Sequence, residues 1–337
     1  MRPHLIIALW SMFASTAWAA DEVPVTVNNF VRAESDLYFT ATLKDGGFGK
    51  FVHKREVSPI DQQHVVRQNR DTLYSAAVFD LDAGPVTISL PDSGGRFMSL
   101  QIINEDQYTP SAIYSPGPHT LSRDQIGTRY VFVAVRTLLN PADANDVEGA
   151  HKLQDAIKVD QPGGPGKFEI PKWDPVSQKK VRDALLVLAA TVTDTSKAFG
   201  TKEEVDPVQR LIGAASAWGA NPPKDAIYLN FVPKQDDGKT IYKLSVKDVP
   251  VDGFWSVSVY NAQGFYEKNA LDTYTLNNVT SKKNADGSVD IQFGGCGGKI
   301  VNCIPTPKSW NYMVRLYRPR EEIQNGSWKF PEANPVQ

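Results

Sequence analysis

The sequence predicts a mainly β protein with a helical middle, in which two antiparallel β-sandwich lobes flank the helices. Residues 62–136 carry short strand patterns separated by turn signals, and residues 226–335 return to the same pattern. Between them, aspartate and proline residues mark the starts of helices. Runs of short strands on either side of a helical middle are typical of two sandwiches.

The strand patterns differ in which faces they bury. Residues 86–90 read VTISL, and this alternation of apolar and polar side chains predicts a half-buried strand. Residues 130–136 are apolar at almost every position, so we expect a strand that is buried on both faces. Hairpin chemistry at 284–287 precedes another alternating segment, 289–293. The remaining predicted strands cover residues 73–81, 97–103, 241–246, 254–260 and 312–316.

Helix signals occur before the first lobe and in the middle of the chain. Residues 25–43 carry apolar side chains at roughly helical spacing and stop at the DGG sequence of 45–47. Asp143 can cap a further helix. Two Asp-Pro pairs then place an N-cap before a proline at the first helical position, which predicts helices over 174–199 and 206–218.

The chain opens with the layout of a secretory signal peptide. Arg2 supplies a positive charge, residues 5–14 form a short apolar run, and residues 17–19 (AWA) have the small-x-small pattern of a cleavage site. A membrane anchor is the alternative, but the apolar run is shorter than the ~20 residues needed to span a bilayer. We therefore expect cleavage near Ala19, a periplasmic or secreted protein, and no membrane span.

The composition shifts divide the chain into four expected segments. Without its first 19 residues the chain is still longer than one ordinary domain. The expected segments are a signal peptide (1–19), an amino-terminal sandwich domain (20–172), a helical connector (173–220) and a carboxy-terminal sandwich domain (221–337).

Charge and motif content exclude several classes of function. The chain has 36 basic and 38 acidic residues and no basic stripe interleaved with aromatic residues, so we expect no nucleic-acid partner. It contains no GxSxG, HExxH or dinucleotide-binding fingerprint. The sequence therefore predicts no cofactor and no metal, and it leaves open whether the protein is an enzyme.

Cys296 and Cys303 are the two cysteines of the chain. In an oxidising compartment such a pair most simply forms a local disulfide, and Gly297 and Gly298 let the intervening loop turn back. A metal site is the sharper alternative, but two thiolates do not complete a tetrahedral zinc set. We therefore predict a disulfide.

Polar side chains crowd the entry to a strand at residues 69–75. Asn69, Arg70 and Tyr74 are candidate ligand-binding residues, since an arginine can form a bidentate pair with a carboxylate or phosphate. Asp71 could accept a proton or orient that arginine. The alternative is an internal Arg70–Asp71 ion pair that holds the strand entry.

A second candidate cluster follows a buried-looking strand at residues 260–269. Asn261, Tyr266 and Asn269 combine aromatic and amide groups, which suit a flat polar ligand such as a sugar or a quinone-like ring. The alternative is a turn packed by its own aromatic side chains. Nearby, Tyr312 and Arg315 are an odd number of residues apart and should face opposite sides of their strand.

Long segments of the chain resemble a bacterial family that joins domain of unknown function DUF1254 to domain of unknown function DUF1214. The amino-terminal resemblance lies in NRDTLYSAAVFDLDAGPVTISLPDSGGRFMSLQIIN and GTRYVFVAVRT. The carboxy-terminal resemblance lies in DVPVDGFWSVSVYNAQGFYEKN, QFGG and WNYMVRLYRPREEIQNGSWKFP. The resemblance implies two jelly-roll-like sandwich domains joined by helices, and it implies no established activity.

Three hypotheses of function follow. The first is an exported module that binds a small polar or aromatic ligand between or within the lobes. The second is a hydrolase or lyase that uses Asp71 as general base, with Arg70 or Tyr74 stabilising negative charge. The third is a cell-envelope interaction protein, which a large exposed apolar patch would favour.

Overall fold

The computed structural model of the protein describes residues 22–63, 66–297 and 299–336. The predicted signal peptide and its cleavage site at Ala19 lie outside the described residues. The described helices are α1 (Phe30–Lys44), α2 (Arg123–Ile126), α3 (Ala144–Asp155), α4 (Pro175–Ala189), α5 (Pro207–Ala217) and α6 (Glu321–Gln324). None of them is long and apolar enough to cross a membrane.

The strands of the described residues form four sheets that are stacked in two pairs, which confirms the predicted fold class. The strands of the first lobe are β1 (Val52–His53), β2 (Thr72–Asp80), β3 (Val86–Leu90), β4 (Met98–Asn104), β5 (Gly117–Leu121), β6 (Tyr130–Leu138) and β7 (Lys158–Asp160). Those of the second are β8 (Ala226–Phe231), β9 (Tyr242–Val246), β10 (Trp255–Tyr260), β11 (Thr275–Asn277), β12 (Val289–Phe293), β13 (Cys303–Ile304), β14 (Asn311–Tyr317) and β15 (Asn334–Pro335).

The first lobe packs the sheet β1-β2-β6-β4 against the sheet β5-β3-β7, and all its pairings are antiparallel. Its core includes Phe79, Ile88, Leu100 and Val133, which lie on the facing sides of the two sheets. Strand β6 is buried along nearly its whole length. The outer face of its sheet is covered as well, because helices and the second lobe pack on it.

The second lobe packs the sheet β11-β10-β14-β8 against the sheet β13-β12-β9-β15. Apolar side chains alternate along β9 and face β10 and β14, and Trp310 fills the core at one end. The pairings are antiparallel except for a short parallel pairing of β12 with β13. Tyr312, Val314 and Leu316 face this core, so Met313 and Arg315, which lie between them, face the other lobe.

The helical layer consists of α1, α4 and α5, which share one apolar cluster. The predicted caps form: the Asp174 carboxylate accepts hydrogen bonds from Val176 N and Ser177 N, and Asp206 caps α5 in the same way. Two predicted bounds were wrong. Helix α1 begins at Phe30, because the Asn29 side chain accepts a hydrogen bond from Thr26 N and forms a turn before it.

Helix α4 ends at Ala189 rather than at residue 199. The next residues, 191–193, include β-branched side chains, which restrict helical rotamers. The Asp194 carboxylate then accepts hydrogen bonds from the backbone and the hydroxyl of Ser196, which turns the chain. Residues 190–199 therefore form an irregular segment between α4 and α5 rather than two further helical turns.

Cys296 and Cys303 form a disulfide, as predicted, at the edge of the second lobe. Replacing both with serine should lower the free energy of unfolding by about 2–3 kcal/mol, because the crosslink closes a short loop and restricts the unfolded chain. Thermal unfolding with and without a reductant measures the effect. The double variant should be insensitive to the reductant, and a wild-type protein that melts at one temperature in both conditions would contradict the prediction.

Candidate functional site

A cavity of about 590 Å³ lies where the two lobes meet the helical layer. Strands β2 and β6 of the first lobe and β8 and β14 of the second line one side. Helix α5 and the residues on either side of it line the other. A depression of about 660 Å³ also lies on the β9–β12 sheet, but lysines, Asp290 and Glu332 give its lining charges of both signs. We call the first cavity the interdomain cavity. Its lining is more distinctive than that of the depression.

Arg136 is the charged residue that the strands of the first lobe contribute to the interdomain cavity. Alternate residues of β6 face opposite sides, so Val135 faces the lobe core while Arg136 faces outward, across from Tyr74 on β2. The guanidinium carbon lies 5.4 Å from the centre of the Tyr74 ring. Its Nη1 donates a hydrogen bond to Gln101 Oε1 at 2.6 Å. The Gln101 amide in turn donates to two backbone carbonyls that follow α5, so the connector helps to orient Arg136.

Arg315 is the corresponding residue of the second lobe. It lies on β14, faces the cavity side and is 2% exposed, whereas Tyr312 faces the lobe core, as their odd spacing predicted. Its guanidinium donates to Ser258 Oγ at 2.8 Å and to Tyr260 Oη at 2.6 Å. It also donates to the backbone carbonyls of residues 67 and 68, at 2.8 and 3.2 Å. Arg315 therefore fastens a segment of the first lobe to a strand of the second.

Tyrosine hydroxyls lie on the same strand-lined wall as the arginines, and their protons can be donated to a ligand. The Tyr317 hydroxyl accepts a hydrogen bond from Asn69 Nδ2 at 3.1 Å, and the Tyr228 hydroxyl accepts one from Asn221 Nδ2 at 3.0 Å. Burial raises the pKa of Tyr317 well above its ordinary value, so this hydroxyl keeps its proton. Both tyrosines and Tyr74 lie close enough to interact with the charge of Arg136.

The opposite wall is largely apolar. It is formed by Val192, Phe199, Ile212 and Trp218, from α5 and its flanking segments. Gly213 allows the segment before α5 to approach the helix, since a Cβ there would lie 3.1 Å from the Phe199 ring. The cavity thus has one cationic, donor-rich wall and one apolar wall.

The lining of the interdomain cavity contains three arginines and, within the described residues, no aspartate or glutamate. The described residues place no carboxylate within 4 Å of Arg67, Arg136 or Arg315. Asp71 acts on Arg315 at longer range, but its own hydrogen bonds go elsewhere. The cavity wall therefore carries positive charge without a contacting counter-charge.

The first predicted cluster divides between the cavity and the lobe interface. Asn69 and Tyr74 line the cavity. Arg70 does not; its guanidinium donates to the carbonyl of Ser58 and lies 5.3 Å from the Tyr274 ring. Asp71 is 1% exposed and lines none of the described cavities. Its Oδ1 accepts hydrogen bonds from Thr275 Oγ1 at 3.2 Å and from Asn277 Nδ2 at 3.0 Å, which joins it to the second lobe.

The second predicted cluster forms turns and an aromatic contact between the lobes. Asn261 Oδ1 accepts from two backbone amides of its own turn, and Asn269 Oδ1 does the same in the next. Tyr266 is 3% exposed, and its hydroxyl donates to the carbonyl of Gln68 at 2.8 Å. None of the three lines a described cavity. Their role as ligand-binding residues stays a prediction, since their hydrogen bonds among the described residues are with other parts of the protein.

Sequence reasoning missed most of the cavity wall. The residues it did not single out as ligand contacts are Arg67, Arg136, Trp218, Tyr228, Arg315 and Tyr317. One signal was available: Arg136 and Arg315 are lone arginines inside otherwise apolar strands, YVFVAVRTL and NYMVRLY. Because arginine is almost never fully buried without a partner, such a residue indicates a special environment.

Each lobe contains one family match. Residues 48–125 match the family described as Protein of unknown function (DUF1254), and residues 231–321 match the family described as Protein of unknown function (DUF1214). These matches confirm the resemblance seen in the sequence. No protein of curated function matches the chain in a sequence search.

Two solved structures share the fold. The VPA0106 protein of Vibrio parahaemolyticus is 18% identical, with a TM-score of 0.71 over 92% of this chain and 98% of that one. A putative uncharacterized protein from Burkholderia cenocepacia is 11% identical, with a TM-score of 0.50 over 92% of this chain and 87% of that one. The chain therefore carries a DUF1254 match followed by a DUF1214 match, and it shares its fold with these two structures.

Proposed function

We propose that the protein binds a small organic molecule in the interdomain cavity. The observation that carries the proposal is the two-sided lining, with arginine and tyrosine side chains on the strands and apolar side chains on the helical layer. A cavity of about 590 Å³ is in the size range of small-molecule sites, which occur preferentially at domain interfaces. An apolar wall with a few convergent polar groups suits a ligand that has both characters.

The proposal includes export and the predicted domain division. The signal-like pattern of residues 1–19 supports cleavage near Ala19, and the disulfide is typical of a periplasmic or secreted protein. Division into 20–172, 173–220 and 221–337 is supported by the position of the cavity, since each part contributes to its lining. Binding in this position would join the three parts.

The two alternatives have less support. A hydrolase or lyase that uses Asp71 as base requires this carboxylate to reach a substrate, and its contacts with Thr275 and Asn277 lie at a buried interface. An envelope interaction protein would be favoured by exposed apolar side chains, and α4 carries Val176 and Val187 at 76% and 72% exposure. Neither observation supports a function as specifically as the lining of the interdomain cavity does.

The binding proposal predicts that filling part of the cavity weakens binding. Val192 lies on the irregular segment that lines the cavity, so Val192→Trp should occupy ligand space with little strain on the helices. Native mass spectrometry of gently purified protein and thermal shifts across a metabolite panel measure binding. We expect the variant to weaken binding at least tenfold.

Val187→Trp provides the matched control, because Val187 is solvent-exposed on α4 and lines no described cavity. It should bind as wild type does. The proposal fails if no panel compound raises the melting temperature and no ligand co-purifies, or if Val192→Trp binds as tightly as the control.

A further inference from the structure

We propose that the ligand is an organic acid whose carboxylate binds to Arg136 and whose apolar body lies against the helical wall. This inference rests on the proposed function, and it specifies the chemical class of the ligand. It is carried by a buried cation without a contacting carboxylate, by hydroxyl donors that have no acceptor, and by the apolar wall opposite them.

Arg136 is a buried charge that the protein leaves incompletely satisfied. The residue is 7% exposed, and its Nε is buried without a hydrogen-bond partner among the described residues. Its polar contacts are with neutral groups: the amide of Gln101 and the side chain of Tyr74, through a hydrogen bond and the ring face. A buried ion is costly unless it is paired, and these neutral contacts offset only part of that cost. A ligand carboxylate would supply the missing charge.

The hydroxyls beside Arg136 also require an acceptor. Tyr228 and Tyr317 each accept a hydrogen bond from an asparagine, so each has its own proton left to donate. The Tyr74 side chain also forms a hydrogen bond with Arg136, and because a guanidinium only donates, the Tyr74 hydroxyl has its own proton left to donate as well. A carboxylate accepts hydrogen bonds and donates none, whereas an amide or alcohol would bring a donor that also needs a partner. The wall therefore favours an anion over a neutral polar group.

Arg136 is a better anion site than the other two arginines. Arg315 already donates to a serine, a tyrosine and two carbonyls. Arg67 donates to Asn311 Oδ1 at 2.7 Å, and it is only partly buried, so water can solvate its charge more than that of Arg136. A small inorganic anion would satisfy Arg136 but would leave Ile212 and Trp218 uncovered. An acid with an apolar body satisfies both walls.

Matched pairs of compounds test this class directly. Octanoate and octanamide, and 4-phenylbutyrate and 4-phenylbutyramide, have similar shapes and differ in charge. Calorimetric titration at pH 7.5 should show the acid of each pair binding at least tenfold more tightly than its amide. Inorganic phosphate should not bind measurably, and binding of phosphate as tight as that of the acids would overturn the role of the apolar body.

Arg136→Met should remove the preference for the acid while it leaves amide binding nearly unchanged, and Arg136→Lys should restore part of it. Arg210→Met is the matched control, because Arg210 also lies over a tyrosine and has an unpartnered Nε, yet it lines none of the described cavities. Should Arg136→Met fail to fold, Tyr317→Phe removes one donor and should weaken the acid about threefold to tenfold and the amide less, because a hydrogen bond to a charged acceptor is the stronger one.

The outcomes separate the two proposals. If amides bind as tightly as acids, or if the acid preference survives in Arg136→Met, the acid inference is wrong and the binding function stands. When Arg136→Met does not fold, the same conclusion follows if Tyr317→Phe weakens the acid no more than the amide. If no compound of either series binds and native mass spectrometry detects no ligand, both proposals fall.

Discussion

Replacing Arg315 with methionine is expected to lower the free energy of unfolding by about 3–5 kcal/mol. The guanidinium joins Ser258 and Tyr260 of the second lobe to two backbone carbonyls of the first. Methionine matches much of the side-chain length but donates no hydrogen bond, so these buried acceptors lose a charged donor. Differential scanning calorimetry should show a lower melting temperature and separate transitions for the two lobes.

Arg320→Met is the control for this prediction. Arg320 is exposed and pairs with Asp252 at the surface, so its removal should change stability little. If Arg315→Met unfolds in a single transition at the melting temperature of the wild-type protein, the lobes are held together by other contacts. Arg315 would then contribute little to the stability of the interdomain interface.

Asp36→Asn is expected to change the pH dependence of stability by about 3 kcal/mol. Asp36 lies on α1 and is 1% exposed; Trp173 donates to its Oδ2 at 2.8 Å, and its Oδ1 has no partner among the described residues. Burial, with smaller contributions from Glu105 and Asp106, raises its pKa from 3.8 to about 6, although Trp173 and Arg32 oppose the shift.

The direction of this pH dependence follows from the raised pKa of Asp36 in the folded state. Stability from the protonated carboxyl is fully present below pH 3.8 and is lost as the pH rises through about 6. An asparagine does not ionise, so the stability of the variant relative to wild type should increase between pH 4 and pH 7.5. Chemical denaturation at a series of pH values measures this difference, whatever constant cost the amide adds.

Asp174→Asn should show the opposite trend. Hydrogen bonds from the Ser177 hydroxyl and from the amides of Val176 and Ser177 lower the pKa of Asp174, so its contribution is present above the unfolded pKa and is lost as the pH falls. The variant should therefore lose stability relative to wild type as the pH rises up to and just past the ordinary aspartate pKa of 3.8, which is below the window of Asp36. If the stability of Asp36→Asn relative to wild type does not change between pH 4 and pH 7.5, the raised pKa of the buried Asp36 carboxyl is contradicted.

Local patterns predicted the secondary structure where local chemistry dominates. The Asp174 and Asp206 caps act within one helical turn, and alternation in VTISL reflects the two faces of one strand. Strands β5 and β7 were missed, because GPHTL and KVD are weak strand sequences that are extended by pairing with β3. The end of α4 was misplaced because Asp194 and Ser196 form a competing turn.

The candidate site was predicted only where polar residues cluster along the chain. Asn69 and Tyr74 belong to such a cluster and line the cavity. Arg136 and Arg315 are isolated among apolar residues, and they share one cavity only because two sheets turn their outer faces toward each other. Trp218 closes that cavity from a third part of the chain.

The sequence by itself determined the class of fold, the two family resemblances, the disulfide and the starts of the aspartate-capped helices, because each depends on neighbouring residues or on patterns with a short period. Tertiary structure alone decided which outward-facing side chains meet between the lobes. That choice depends on strand register and on the packing of distant segments, and a single strand carries no information about the surface that will cover it.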